Sequence, residues 1–185
     1  MTAQIAVGIA ILVTAPIRLG NLIHLKLDEN LIKPGGPNTT YMLTIPDYDV
    51  KNRVKLDFLL DETQTALIDE YVHHHRSILL RGSNEPWLFP GETGGPKGGH
   101  TFSGQITKRV QNATGLRITV HQFRHAAAAM WLRHRPGEFE IVRQLLGHKN
   151  IETTIQFYCG LETMQATRVF GALVRKHMKF DPEPE

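Results

Sequence analysis

Cysteine is almost missing from this chain: Cys159 is the single one in 185 residues. One thiol excludes an internal disulfide and a cysteine-based zinc cluster, and it suits a reducing compartment. Long apolar runs are missing as well. The longest, 5-IAVGIAILVTAPI-17, spans thirteen residues, short of the ~20 a helix needs to cross a bilayer. No lysine or arginine precedes it, so the basic start of a signal peptide is lacking. A buried helix is the expectation, in a cytoplasmic protein with no membrane partner. The stretch 91-GETGGPKGG-99 lacks the GKS/T ending of a phosphate-binding loop, which speaks against nucleotide binding. Paired carboxylates are absent near the basic motifs, which argues against a two-metal nuclease.

What is present describes one ordinary domain. The chain is 41% hydrophobic and 21% charged, with a net charge of +3 and a pI near 9.1. The tail 181-DPEPE-185 carries three acids, so residues 1–180 hold 21 basic against 15 acidic side chains, or +6. A basic body with an acidic tail makes a polyanion partner plausible. Apolar periodicity predicts helices over 3–14, 61–79, 103–113, 119–134, 138–147, 151–159 and 162–178. A short helix from residue 19 runs into a strand near 25–32, and 41-YMLTIP-46 and 54-VKLDFLL-60 form an antiparallel hairpin. The segment 82–100 is a Gly/Pro-rich loop with a short strand at 87–89, and 180–185 is expected to be disordered. The predicted class is α+β: a mostly helical single domain with a small three-stranded antiparallel sheet.

The stretch 121-HQFRHAAAAMW-131 raises a burial problem, because it opens an alanine-rich, packing-prone helix with two histidines and an arginine. His121, Arg124 and His125 share one helical face. Taken alone, such a cluster is more often a solvated helix start. His121 and His125 have good zinc spacing, yet Arg124 on the same face disfavours a dication. An anion is the better guest, because a guanidinium fork matches phosphate oxygens two at a time. Downstream, 143-RQLLGHKNIETTIQFY-158 places His148 at a glycine helix stop and Tyr158 on the next helix. The run 73-HHH-75 points in several directions on a helix and reads as a solvated helix end. Cys159 reads as a small packing residue.

Together these motifs resemble the active-site region of the tyrosine recombinases, the phage integrase family. That pattern is HxLRH, about two dozen residues, LGH, then roughly ten residues to a tyrosine. Here Arg124 to His148 is 24 positions and His148 to Tyr158 is ten. The frame TGxRxxELxxL is matched by 14-TAPIRLGNLIHL-25, giving Arg18, with Asn21 where the family has an acid. A lysine pattern KTGxxxxxPL is matched by 51-KNRVKLDFLL-60, giving Lys51, with Lys55 as the alternative.

The resemblance implies a catalytic set of Arg18, Lys51, His121, Arg124, His148 and Tyr158. Tyr158 would be the nucleophile on double-stranded DNA, forming a 3′-phosphotyrosyl link. Arg18, Arg124 and His148 would bind the phosphate, His121 would be the base or orienting group and Lys51 the acid. No metal, no ATP or other cofactor and no small-molecule substrate is implied. His125 is expected to support the site from behind, and the alanines to let the helix pack tightly. Residues 1–179 would form the catalytic domain without the family's N-terminal core-binding domain; the alternative expectation is a catalytically impaired DNA-binding remnant of an integrase that acts as a binding module. The protein would be a monomer alone and a homo-tetramer on paired DNA sites.

Overall fold

The computed structural model describes residues 2–178, with side chains through Tyr158 and at a few positions beyond it. The first helix, α1 (Thr2–Thr14), buries Val7, Ile11 and Leu12. Gly8 allows its close approach to the helix α5 (Gly99–Thr114), since a Cβ there would lie 2.9 Å from Phe102. Pro16 prevents α1 from continuing, and after an extended Arg18 the short α2 (Leu19–Ile23) begins.

A three-stranded antiparallel sheet follows, in the order β1 (Leu31–Ile32), β2 (Met42–Ile45), β3 (Leu56–Leu59). Leu43 and Ile45 alternate inward along β2 and are buried, as one covered face requires. Between β2 and β3 the chain makes a 3₁₀ turn at Asp47–Asp49 and a left-handed residue at Arg53. Asp61 then caps α3 (Glu62–Glu70) in a capping box with Gln64. A π-helical turn at Tyr71–Arg76 leads on into α4 (Ser77–Leu80).

After the loop to residue 98 the molecule is helical: α5, α6 (Val120–His134), α7 (Phe139–Leu146) and α8 (Ile151–Met178). Buried apolar side chains fall into two clusters. The large one joins α1, α2, the sheet, α3, α5 and Val120 at the start of α6. The small one contains Ala128, Leu132, Val142, Leu146 and Tyr158 from α6, α7 and α8. Helix α6 runs from one to the other. Its buried positions Val120, Arg124, Ala128 and Leu132 are spaced by four, so an arginine occupies the middle of an apolar stripe.

The α+β class holds, with several local corrections. The strand expected near 25–32 shrinks to two residues, because Asp28 is left-handed (φ 63°) and breaks the extended run. Lys26 and Trp87 meet only as an isolated bridge, which replaces the strand expected at 87–89. The helix expected over 61–79 is interrupted by the π-helical turn, so His73–His75 lie within a helical run rather than at its end; all three are exposed. The helices expected at 151–159 and 162–178 are one, since the single Gly160 costs a helix only about 1 kcal/mol. Of the four alanines only Ala128 is buried; Ala126 and Ala127 line an open apolar groove with Met130 and Trp131. The Cys159 side chain and the 180–185 tail lie outside the described residues. Among the described residues no helix is long and apolar enough to cross a membrane.

Candidate active site

Arg124 sits where the two clusters meet and is 4% exposed. Its Nη1 donates to the Pro16 carbonyl and its Nη2 to the Leu146 carbonyl, the latter at 2.6 Å. One guanidinium thereby ties the α1–α2 joint to the end of α7. Burial, then the neighbouring Arg18 charge, lower its pKa to about 10. Arg18 is half-buried, its pKa lowered by burial, and its Nη1 is enclosed without a hydrogen-bond partner. Neither arginine faces a carboxylate among the described residues. Two positive groups, one with an enclosed and unused donor, define a place for an anion.

His148 lies on the turn after α7. Gly147 adopts the left-handed conformation that ends the helix (φ 60°), and the His148 N–H reaches back to the Arg143 carbonyl at 2.9 Å. Arg143 Nη1 also donates to the His148 carbonyl at 2.9 Å. The ring's Nδ1 lies 2.9 Å from Oγ1 of the fully buried Thr154. Burial, followed by the Arg124 and Arg18 charges, pushes the His148 pKa down to about 4. The ring is therefore neutral near pH 7, with Nε2 as its free nitrogen.

Tyr158 is 5% exposed, and burial raises its pKa while Arg124 lowers it. Its hydroxyl lies 3.0 Å from His125 Nδ1. When that nitrogen is the unprotonated one, the phenol O–H donates to it. His125 thus meets the tyrosine directly rather than supporting the site from behind, and His121 stands one helical turn away. The His121 and His125 rings form an edge-to-face pair with centroids 4.7 Å apart. His121 is exposed, and its pKa is lowered first by desolvation and then by His125, Arg124 and Arg18.

Lys51 is exposed in the β2–β3 connection and lines, with Arg18, Asn21, Lys26 and Trp87, a groove of about 510 Å³. Lys55 instead pairs with Asp57 at 2.9 Å and borders a different groove beside α7. Asn21, in the family's acidic position, donates to the Asp49 carbonyl at 2.8 Å. Asn52 donates to the Gly147 carbonyl at 2.8 Å. The structure therefore gathers Arg18, His121, Arg124, His148 and Tyr158 at one seam and puts Lys51 on the groove that Arg18 shares. Thr154, His125, Asn21 and Asn52 were not assigned contacts by sequence reasoning. His125 carried a signal there as the last residue of HxLRH, and Asn21 as the residue in the acidic position of TGxRxxELxxL. Among the described residues no group of three or more histidine, cysteine or acidic side chains is arranged to hold a metal.

Residues 2–164 match the model of the phage integrase family. The chain belongs to that family. It is 32% identical over 110 residues to tyrosine recombinase XerC of Chromobacterium violaceum, covering 56% of this chain and 35% of that protein. With XerD of Proteus mirabilis the identity is 26% over 156 residues, 83% of this chain and 46% of the relative. The chain thus spans less than half the length of these curated relatives. Its fold is shared with the XerH site-specific recombinase in a post-cleavage complex (TM-score 0.69, 19% identity, 90% of this chain and 45% of that one). The lambda integrase catalytic core also shares it, with TM-score 0.52 and 20% identity over 79% of this chain and 84% of that one.

Proposed function

We propose that this chain is the catalytic domain of a tyrosine-type site-specific recombinase, with double-stranded DNA as its substrate. The observation that carries the reading is the enclosed, partnerless Arg18 Nη1 beside the buried Arg124, with the Tyr158 hydroxyl at the same seam. Such a place accepts a phosphodiester. The Tyr158 oxygen attacks phosphorus, its proton passes to His125, and the bond to the 5′-oxygen breaks as Lys51 protonates that oxygen. The product is a 3′-phosphotyrosyl link and a free 5′-hydroxyl; a second strand's 5′-hydroxyl reverses the step. Negative charge that builds on the non-bridging oxygens is met by Arg18, Arg124 and His148 Nε2. Exchanging one phosphodiester for another is nearly energy-neutral, so the reading invokes neither ATP nor a metal. His121, exposed beside His125, orients the phosphate or the His125 ring.

Residues 1–179 act as the catalytic unit in this reading, and four copies assemble on paired DNA sites while the free chain is monomeric. The test uses nicked duplexes from a randomised pool, incubated with the chain and resolved on a denaturing gel. A covalent adduct is expected, mapped by mass spectrometry to Tyr158. Tyr158→Phe is expected to retain duplex binding and form no adduct; an adduct from that variant sinks the assignment. Binding should weaken steeply with added salt, since phosphate contacts dominate it.

A further inference from the structure

The turn that carries Lys51 is held by side chains from both sides of the seam. Asn21, three positions after Arg18, donates to the Asp49 carbonyl at 2.8 Å across 28 residues. Asn52 donates at 2.8 Å, across 95 residues, to the carbonyl of Gly147, which immediately precedes His148. These two tethers bracket Lys51 at positions 49 and 52. Within the turn, Asp49 and Val50 bond back to Pro46 and Asp47, and Arg53 bonds back to Val50 at 2.8 Å. Val50 plugs the turn into the core at 2% exposure. The backbone on both sides of Lys51 is therefore fixed, while its side chain is exposed at the groove it shares with Arg18.

We infer that Asn21 and Asn52 are positioning residues that clamp the Lys51 turn between the Arg18 helix and the His148 turn, so that the lysine is aimed at the leaving 5′-oxygen. This rests on the reading of Lys51 as the acid. A part-exposed asparagine ordinarily hydrogen-bonds water or its own neighbours. Here both amides cross to another element: Asn21, three positions after Arg18, ends on the Asp49 carbonyl two residues before Lys51, and Asn52, next to Lys51, ends on the Gly147 carbonyl beside His148. That arrangement couples the acid to the phosphate clamp.

A leaving-group substitution separates aiming from plain stability. A 5′-oxygen must be protonated as it leaves, whereas a 5′-sulfur departs as thiolate and needs no acid, since thiol pKa values lie near ~8.5. Asn21→Ala, Asn52→Ala and Lys51→Ala are compared on duplexes recovered by covalent capture from a randomised pool, with oxygen or sulfur at the bridging 5′ position. Lys51→Ala is expected to slow cleavage of the oxygen substrate by about 10²–10⁴-fold. The asparagine variants should slow it by about tenfold, and all three should cut the sulfur substrate within about twofold of the parent rate. If the asparagine variants slow both substrates equally, or neither, while Lys51→Ala is rescued by sulfur, the clamp is wrong and the acid reading stands. If sulfur fails to rescue Lys51→Ala, or no duplex is captured, the acid reading falls and the clamp falls with it.

Discussion

Burying a guanidinium is unfavourable unless its donors are used and its charge is answered. Arg124 uses two donors on the Pro16 and Leu146 carbonyls, and on the proposed function its charge is answered by the DNA phosphate. A lysine offers one compact ammonium and cannot span both carbonyls while facing a phosphate. Arg124→Lys is expected to lower cleavage by about 10²-fold or more and stability by about 1–3 kcal/mol, read by adduct yield and by denaturant titration. Cleavage near the parent level would count against the clamp. His125 gives the second residue-scale test. His125→Phe keeps a ring against Tyr158 but removes the acceptor, and it should slow adduct formation by about 10²-fold. His121→Phe should cost less, and the reverse order would return the base role to His121. The choice between these histidines was not legible in HQFRH, because i and i+4 share a face. Only the placement of α8 decides which ring meets the tyrosine.

At the scale of elements, the turn after α7 packs closely against β3. Gly147 is left-handed, and a Cβ there would stand 2.7 Å from Leu56 Cδ2 on β3. Gly147→Ala should therefore cost about 2–4 kcal/mol from the backbone conformation and the overlap together. A thermal melt reads that loss, and a variant as stable as the parent would refute the packing argument. Glycine at this helix stop was legible from the sequence; its contact with a strand about ninety residues earlier was not. Other elements divide the same way. The hairpin and the main helices other than α8 followed from the apolar pattern and the turn residues between its segments. The short β1, the π-helical turn and the unbroken α8 did not. Asp28 in a left-handed conformation and the buried Tyr71, bonded to the Leu88 carbonyl from within the widened turn, leave no mark on apolar periodicity, and Gly160 costs the long helix only about 1 kcal/mol.

For the molecule as a whole, pH enters through histidines held neutral. His148 is lowered from 6.5 to about 4, and His121 is lowered as well. The unfolded chain then binds more protons than the folded one across that window, so stability falls as pH drops from about 6.5 toward about 4. Glu140, held down to about 2 by Arg143, adds its own loss only below its ordinary value of 4.5. The decline between pH 6.5 and 4.5 is thus a histidine signature. His148→Gln should flatten it in melts across that range, and an unchanged slope would remove His148 as its source.

The arginine in the middle of the α6 stripe has one more consequence. Pro16 and Leu146, its two carbonyl partners, belong to opposite sides of the seam, with the large cluster before it and the tyrosine's cluster after it. On the proposed reading, nucleophile and clamp are therefore owned by different cores and are only as well aligned as the joint between them. A protein built this way can be retuned without touching either core. Small residues swapped along the joint would adjust how readily DNA is cut, which makes the seam the natural place to look for attenuated and hyperactive variants.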